Sequence, residues 1–532
     1  MIYNLLMGLS DVNLTKHDLK FEASIVSRAA QILIAKEIDF DSSLTWVRVL
    51  EKIYHSQNGS YFTWLAITGC YPSRMQIQKF HLNLQSMGFN TAVQILVLER
   101  LKELDLAKLL MGTTFITVPE ENLVDITHTY SAPYITGIQR VVRNLTDAKS
   151  NVRTFIWIGS TGVIKLKNFE EIADSTGNTK LNKDWRIRLV LKLHKYAPAF
   201  DRNAIGKLMK GILLPVARMV KRYLILTQAK QELNFSLSGD LTNLLLIGKK
   251  VTLPEIPSEL TQISNYEAIL EYSNIKFQIV LYDFIPFFHA WTVHPGNRGH
   301  YNSYVRLVFL AHRIVSISKL VNDQAQLIAR AFRLEREEWR TRDQKFDYLP
   351  LPTGLQRAEK GEFEKEANLI VMLGSIEPRK NHLLFLSALE ILASQDVYPK
   401  ARILGTAGWE NDHVLFRINE LKAKGIDLRV ESNLKDEELR EIMARSQVVL
   451  QLSEAEGFGL PIVESLALGT KVIVTNVSPL SEWKEDSVRI VELNDPIQLA
   501  WELMRVLENP ETKSDKFYQG TTWESWRKML YS

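Results

Sequence analysis

Cysteine is nearly absent: the 532 residues contain one, Cys70. It cannot form an internal disulfide, so a disulfide-stapled scaffold is excluded and a reducing compartment is expected, with Cys70 as a small core residue. No uninterrupted apolar run approaches the roughly 18 residues of a membrane-spanning helix. The opening stretch Met1–Gly8 lacks a basic segment and has only a short apolar one, so a secretory leader is not expected. Excess charge is scarce too, because 65 Lys and Arg against 61 Asp and Glu leave only +4, too little to argue for nucleic acid as a partner. There is no repeat, no low-complexity tract, no Asp-x-Asp after a strand candidate and no His/Cys cluster at ligand spacing. Neither a metal nor another cofactor is therefore expected.

What is present is ordinary for a soluble chain, 46% hydrophobic and 24% charged residues, at a length that implies roughly two to four domains. Charge is unevenly spread. Lys180–Arg222 holds twelve basic residues against Asp184 and Asp201, interleaved with apolar ones. Such a stretch lies either on an anionic membrane surface, at about 1 kcal/mol per basic residue near the lipid, or along a solvated helix face. The expected location is cytoplasmic, peripheral on the inner face of the plasma membrane if the first reading holds.

Periodicity divides the chain. Residues 1–114 read as a mostly helical accessory region, with helical spacing in Glu22–Ile38 and Thr91–Leu110. An α/β region over 115–352 follows, with strands near Phe115–Val118, Arg153–Ile158, Phe277–Tyr282 and Arg313–Ile317 and an irregular insertion at about 160–265. Pro350, Pro352 and Gly354 mark a linker. From 353 to 510 short apolar strands (Leu369–Leu373, Ala401–Leu404, Asp427–Val430, Val448–Leu452, Lys471–Val474, Val488–Val491) alternate with helical patterns. That alternation predicts a parallel sheet covered on both faces, with ligands beyond the carboxyl ends of its strands. Residues 511–532 form a terminal helix.

The most specific feature is Glu456-Gly457-Phe458-Gly459-Leu460-Pro461-Ile462-Val463-Glu464, directly after the strand Val448–Leu452. Pro461 suits the first turn of a helix. Gly457 and Gly459 let backbone approach a ligand, and the helix amides that follow favour an anion such as a diphosphate. Glu456 would reach in from the loop, and Glu464 from the helix toward the same crevice. After the strand Leu369–Leu373 comes Gly374-Ser375-Ile376-Glu377-Pro378-Arg379-Lys380-Asn381. Here Arg379 as a fork and Lys380 as a point charge are placed to meet a diphosphate. Cations aimed at a departing nucleoside diphosphate stabilise the transition state more than the ground state, so no metal is required.

These two motifs together resemble glycosyltransferase family 4, retaining enzymes of the GT-B fold, over roughly residues 115–532. The resemblance implies an α/β architecture of two Rossmann-like domains facing across a cleft. It also implies that Glu464 holds the donor ribose, that Glu456 lies near the transferred sugar, and that Arg379 and Lys380 bind the diphosphate. The donor-side set is completed by Ser375, the loop Gly457-Phe458-Gly459-Leu460, and Asn433 and Leu434 in a stretch whose backbone meets the base. Tyr134–Val142 resembles the family's first loop, which nominates Gly137 beside the donor phosphates. Tyr282-Asp283 stands where the family often has His-Asp, leaving Asp283 on the acceptor side and His289 and His294 as nearby alternatives. Trp523–Leu530 resembles the last helix of GT-B enzymes.

The reaction so implied is transfer of a hexose, mannose or rhamnose preferred, from a nucleotide sugar to a hydroxyl of a glycan or lipid-linked glycan, with retention. Retention admits either a double displacement with Glu456 as nucleophile or a same-face departure, the second favoured by resemblance. A non-catalytic GT-B scaffold and a sugar-nucleotide epimerase are the rival readings.

Overall fold

The computed structural model describes residues 16–39, 46–102, 114–131, 137–146, 152–158, 162–167, 242–257, 259–335, 344–353, 358–359, 362–483, 486–508 and 521–532. The basic stretch Lys180–Arg222 lies outside them, as do Gly354, residues 132–136 and 511–520. No helix among the described residues is long and apolar enough to cross a membrane.

The chain forms two compact units, Met1–Ile135 with Thr146–Phe277, and Thr136–Leu145 with Gln278–Ser532. In the first, five helices (Lys16–Ala35, Trp46–Tyr54, Gly59–Thr68, Arg74–Met87, Phe89–Lys102) precede the strands. Gly59–Thr68 is apolar almost all round and nearly wholly buried, as a central core helix must be. Its last carbonyls are met by a buried cation. Arg28 donates from Nε to Ala66 O at 2.8 Å and from Nη2 to Ile67 O at 2.9 Å, and burial brings its pKa down to about 10. Helix Arg74–Met87 opens on a capping box between Ser73 and Gln76.

These helices are welded to strands of the same unit. Tyr71 Oη donates to Leu244 O at 2.9 Å, Asn243 Nδ2 donates to Gly69 O at 3.0 Å, and Asn265 Nδ2 donates to Tyr71 O at 2.7 Å. Strand β1 (Thr114–Ile116) pairs in parallel with β5 (Thr242–Leu244). In the neighbouring sheet β2 (Asn122–Asp125) pairs in parallel with β3 (Arg153–Trp157) and β6 (Lys250–Leu253), while β3 pairs antiparallel with β4 (Ile164–Lys167). The insertion expected over 160–265 is thus corrected at both flanks. Residues 164–167, 242–244 and 250–253 are sheet, and Leu260–Tyr272 is a buried helix.

In the second unit residues 278–281 of β7 (Lys276–Leu281), β8 (Arg313–Ser316) and β9 (Lys345–Tyr348) run parallel. A six-stranded, wholly parallel sheet follows: β10 (Leu369–Leu373), β11 (Lys400–Leu404), β12 (Leu428–Glu431), β13 (Val448–Gln451), β14 (Lys471–Thr475) and β15 (Val488–Val491). Their spatial order is β12-β11-β10-β13-β14-β15. Every residue of β10 and β13 is buried, the signature of central strands covered on both faces. Helices His382–Ser394 and Pro496–Glu508 share one core with Ile370, Met372, Ile403 and Leu450. The other face is packed by Met443 and Ala444 against Val371 and Val449.

The last helix, Trp523–Tyr531, packs Trp526 and Leu530 on Val141, Leu145, Val280, Val315 and Phe458. Trp526 Nε1 donates to Leu349 O at 3.1 Å, and Arg313 Nη1 donates to Leu530 O at 2.6 Å.

Candidate functional site

β10 and β13 are neighbours in register Val371↔Val449, so the segments leaving their carboxyl ends emerge side by side, where an open α/β sheet binds ligands. From β10 comes the single turn Pro378–Lys380, held by Asn381 in a left-handed conformation (φ 54°) before helix His382–Ser394. From β13 comes the loop Ser453–Gly459. The two are stitched by Glu454 N–H donating to Arg379 O at 2.8 Å and by Arg379 Nη1 donating to Ala455 O at 3.1 Å.

At this junction Glu456 Oε1 collects four donors. Arg379 Nη1 approaches at 3.0 Å, Gln451 Nε2 at 2.8 Å and Ser453 Oγ at 2.8 Å, and Lys380 Nζ is the fourth. Burial opposes the charge, but Lys380 and then Arg379 outweigh it, and the Glu456 pKa falls to about 2. Arg379 is also forked onto Glu377 Oε1 at 2.9 Å. The two cations are therefore matched by two carboxylates, and the cluster is charge-balanced. Lys380 is pushed below its ordinary pKa by burial and by Arg379, with Glu456 opposing. His382 is buried beside them and held neutral, its pKa lowered to about 4 by burial and then by Lys380.

Asp283, just beyond β7, joins this group. Its carboxyl is raised above the usual range by burial, against the pull of the Ile285 N–H and of Arg379, and Glu456 adds to the rise. Oδ1 accepts from Ile285 N–H at 2.9 Å, and Tyr301 Oη donates to Asp283 O at 2.6 Å. Gly457 explains how closely the loop comes, since a Cβ there would stand 2.1 Å from Tyr282 O and 3.1 Å from Asp283 Cβ. Gly459 has φ +92° and is the residue before helix Leu460–Ala467, with Pro461 in its first turn. Phe458 puts its side chain into the core, edge-on to Trp483.

Glu464 lies on that helix, 3% exposed. Its partner is Arg140 from helix Gly137–Leu145, Nη1 to Oε1 at 2.9 Å. Burial raises the Glu464 pKa to about 7, Arg140 acting against the rise and Asp436 with it. Gly137 lies beside Leu460, whose Cδ1 would be 3.1 Å from an added Cβ.

Of the sequence candidates, then, Arg379, Lys380, Glu456 and Asp283 meet, and Gly457 is packed on Asp283. Glu464, Leu460 and Gly137 gather around the start of the next helix. Ser375 sits in the turn after β10 beside Gly405. Asn433, with φ 60°, and Leu434, packed on the core, precede helix Asp436–Arg445 after β12. Among the described residues these three make no polar contact with the cluster. His294 is a helix cap, its Nδ1 accepting from Gly296 N–H at 3.1 Å. His289 leans on Trp291, ring centres 5.2 Å apart, with burial lowering its pKa and Glu454 countering. The sequence reading did not single out Gln451, Ser453, Glu377, Asp436 or Arg140. The spacing of three from Gly137 to Arg140, one helix face, was the available signal for the last.

Residues 356–522 match the family model described as glycosyl transferases group 1. The match makes this segment similar to that family over about a third of the chain. The matched span holds Ser375, Arg379, Lys380, Asn433, Leu434, Glu456, Gly457, Leu460 and Glu464, and not Gly137, Arg140, Asp283, His289 or His294. The Escherichia coli serotype-specific mannosyltransferase WbdA is 27% identical over 157 residues, 30% of this chain and 19% of that protein. The E. coli O-antigen chain mannosyltransferase B is 31% identical over 138 residues, 26% of this chain and 36% of that protein. The chain thus spans about a fifth to a third of the length of these curated relatives. Among solved structures, Anabaena HepE in complex with UDP and glucose aligns with a TM-score of 0.44 at 12% identity, covering 77% of this chain and 98% of that one.

Proposed function

We propose that the chain is a hexosyltransferase. It moves a hexose, mannose first and rhamnose second, from a nucleoside-diphosphate sugar to a hydroxyl of a glycan or lipid-linked glycan. Anomeric configuration is retained and no metal takes part. The observation that carries this reading is the Arg379–Lys380–Glu456 junction at the carboxyl ends of β10 and β13, inside the span that matches glycosyl transferases group 1. Two preorganised cations there can take up the charge that develops on a leaving diphosphate. Mannose is preferred because WbdA and the O-antigen chain enzyme are named as mannosyltransferases.

The hydrogen bonding also bears on how retention is achieved. A nucleophilic carboxylate must present a lone pair to the anomeric carbon. Glu456, whose carboxylate is held at a pKa of about 2 by Lys380 and Arg379, is weakly basic and so a poor nucleophile, and a good electrostatic anchor. This favours same-face departure, in which the leaving phosphate takes the acceptor's proton. Release of nucleoside diphosphate from GDP-mannose, dTDP-rhamnose and UDP-hexoses is the test, run with acceptor extract and with EDTA. Release that needs both acceptor and an intact Lys380 is expected. A new nucleotide sugar formed without acceptor, with no net release of nucleoside diphosphate, would indicate an epimerase, and no turnover of any donor would indicate a binding scaffold.

A further inference from the structure

Arg140 reaches two acids on two different helices. Nη1 donates to Glu464 Oε1 at 2.9 Å, and Nη2 pairs with Asp436 Oδ1 at 3.0 Å. The Arg140 side chain is 18% exposed and that of Glu464 4%, so this is a mostly desolvated contact, while Asp436, at 49%, faces water. The helix that carries Arg140 is fixed by Val141 and Leu145 in one cluster with Phe458 and Val463, the residues flanking the glycine loop and Glu464. Asp436 tethers the far end of the guanidinium, which keeps the fork from swinging away from Glu464. The second carboxylate oxygen, Oε2, accepts no hydrogen bond among the described residues.

We propose that Arg140 is a positioning residue for the nucleoside half of the donor: by gripping Glu464 through one oxygen it leaves the other to accept from the paired hydroxyls of a ribose. This rests on the reading of Glu464 as the ribose acceptor. An ionised carboxylate only accepts hydrogen bonds, whereas a protonated one turns an oxygen into a donor and spoils the match to a diol. Burial drives Glu464 toward the neutral form, and of the charged groups facing it Asp436 adds to that drive. Arg140 is the cation that opposes both, so it sets the orientation of the carboxylate and the pH at which it works.

The test is titration calorimetry of the full chain with GDP, UDP and inorganic pyrophosphate between about pH 5.5 and 8.5, on the parent and on Arg140→Gln, Arg140→Lys and Glu464→Gln. Pyrophosphate has no ribose and reports the cation pair alone. Nucleotide affinity of the parent, measured relative to pyrophosphate, should rise through a midpoint near pH 7. Arg140→Gln should move that midpoint up and weaken nucleotide binding about tenfold at neutral pH, the loss of one charge-assisted hydrogen bond. Pyrophosphate binding should be unchanged, Arg140→Lys should recover part of the loss, and Glu464→Gln should abolish the midpoint. An Arg140→Gln protein with unaltered nucleotide affinity and midpoint overturns the proposal, as does equal loss of nucleotide and pyrophosphate, which would mark a structural clasp. A parent that binds pyrophosphate but neither GDP nor UDP overturns the ribose reading itself and the proposal with it, an outcome visible before any variant is made.

Discussion

Replacing Glu456 by Gln keeps the shape of the junction and deletes its charge. Gln451 and Ser453 can still donate to the new amide oxygen, but Arg379 and Lys380 lose the carboxylate they share. The depression of Glu456 from 4.5 to about 2 corresponds to roughly 3 kcal/mol at about 1.4 kcal/mol per unit. Breaking a buried ion pair by removing one member costs about 3–5 kcal/mol, and Glu377 still pairs with Arg379, so the lower figure is expected. By linkage a carboxylate with a depressed folded pKa contributes its full stability above about pH 4.5 and loses it as pH falls through about 2. The variant should therefore melt roughly 5–10 °C below the parent at pH 7, and the difference should close in strong acid. With Lys380 stripped of its carboxylate and Arg379 left with Glu377 alone, the pair should also bind an anion harder. Pyrophosphate at a hundred times its Kd stabilises by about 2.7 kcal/mol, and the variant should reach that gain at lower concentration than the parent while losing sugar transfer. A variant that melts within about 2 °C of the parent and binds pyrophosphate no more tightly would refute the assignment of Glu456 as counter-ion to the pair.

Gly457→Ala should abolish transfer and lower the melting temperature, because its Cβ would overlap Tyr282 O at 2.1 Å and drive the loop off Asp283; turnover above a tenth of the parent value would contradict this. Glu255, in the first unit, is pushed up to about 8 by burial, with Asp125 adding and the Thr129 N–H opposing. An acid with a raised folded pKa loses stability as pH rises from about 4.5 through 8, so Glu255→Gln should match the parent near pH 5 and be the more stable protein above pH 8 in chemical denaturation. A Gln can still accept from the Thr129 N–H and donate to its Oγ1, which now meets Glu255 at 2.8 Å. Trp526→Ala should cost about 3–5 kcal/mol, since Trp526 is fully buried, and should expose the terminal helix to limited proteolysis.

The later sheet was legible because each strand is a short apolar run flanked by polar turns. β10 and β15 run over the very residues read from the sequence, and the other four strands differ by a residue or two. The earlier strands were harder for a physical reason. β2, β4, β5 and β6 are three or four residues long, too short for an alternation to stand out, and the last three lie within the span read from the sequence as an insertion. The site divides the same way. A strand end followed by Arg379-Lys380, and another followed by a glycine loop with Glu456, announce themselves locally, because their neighbours in the sheet bring them together. Arg140 and Glu464 are 324 residues apart, and no local pattern reports which acid a helical arginine will meet.

What local reading did not supply is the pairing: Glu456, named from its loop, and Glu377, from the turn itself, sit directly on Arg379 and Lys380. Neutralised in this way, the junction can stay folded without ligand, since two largely buried cations would otherwise each lose several kcal/mol of hydration. A diphosphate then has to compete with Glu456 for the same donors. The pair should accordingly bind anions less tightly than a bare Arg-Lys site, and release a product diphosphate more readily, which is what turnover requires of a site that meets the same charge in substrate and product.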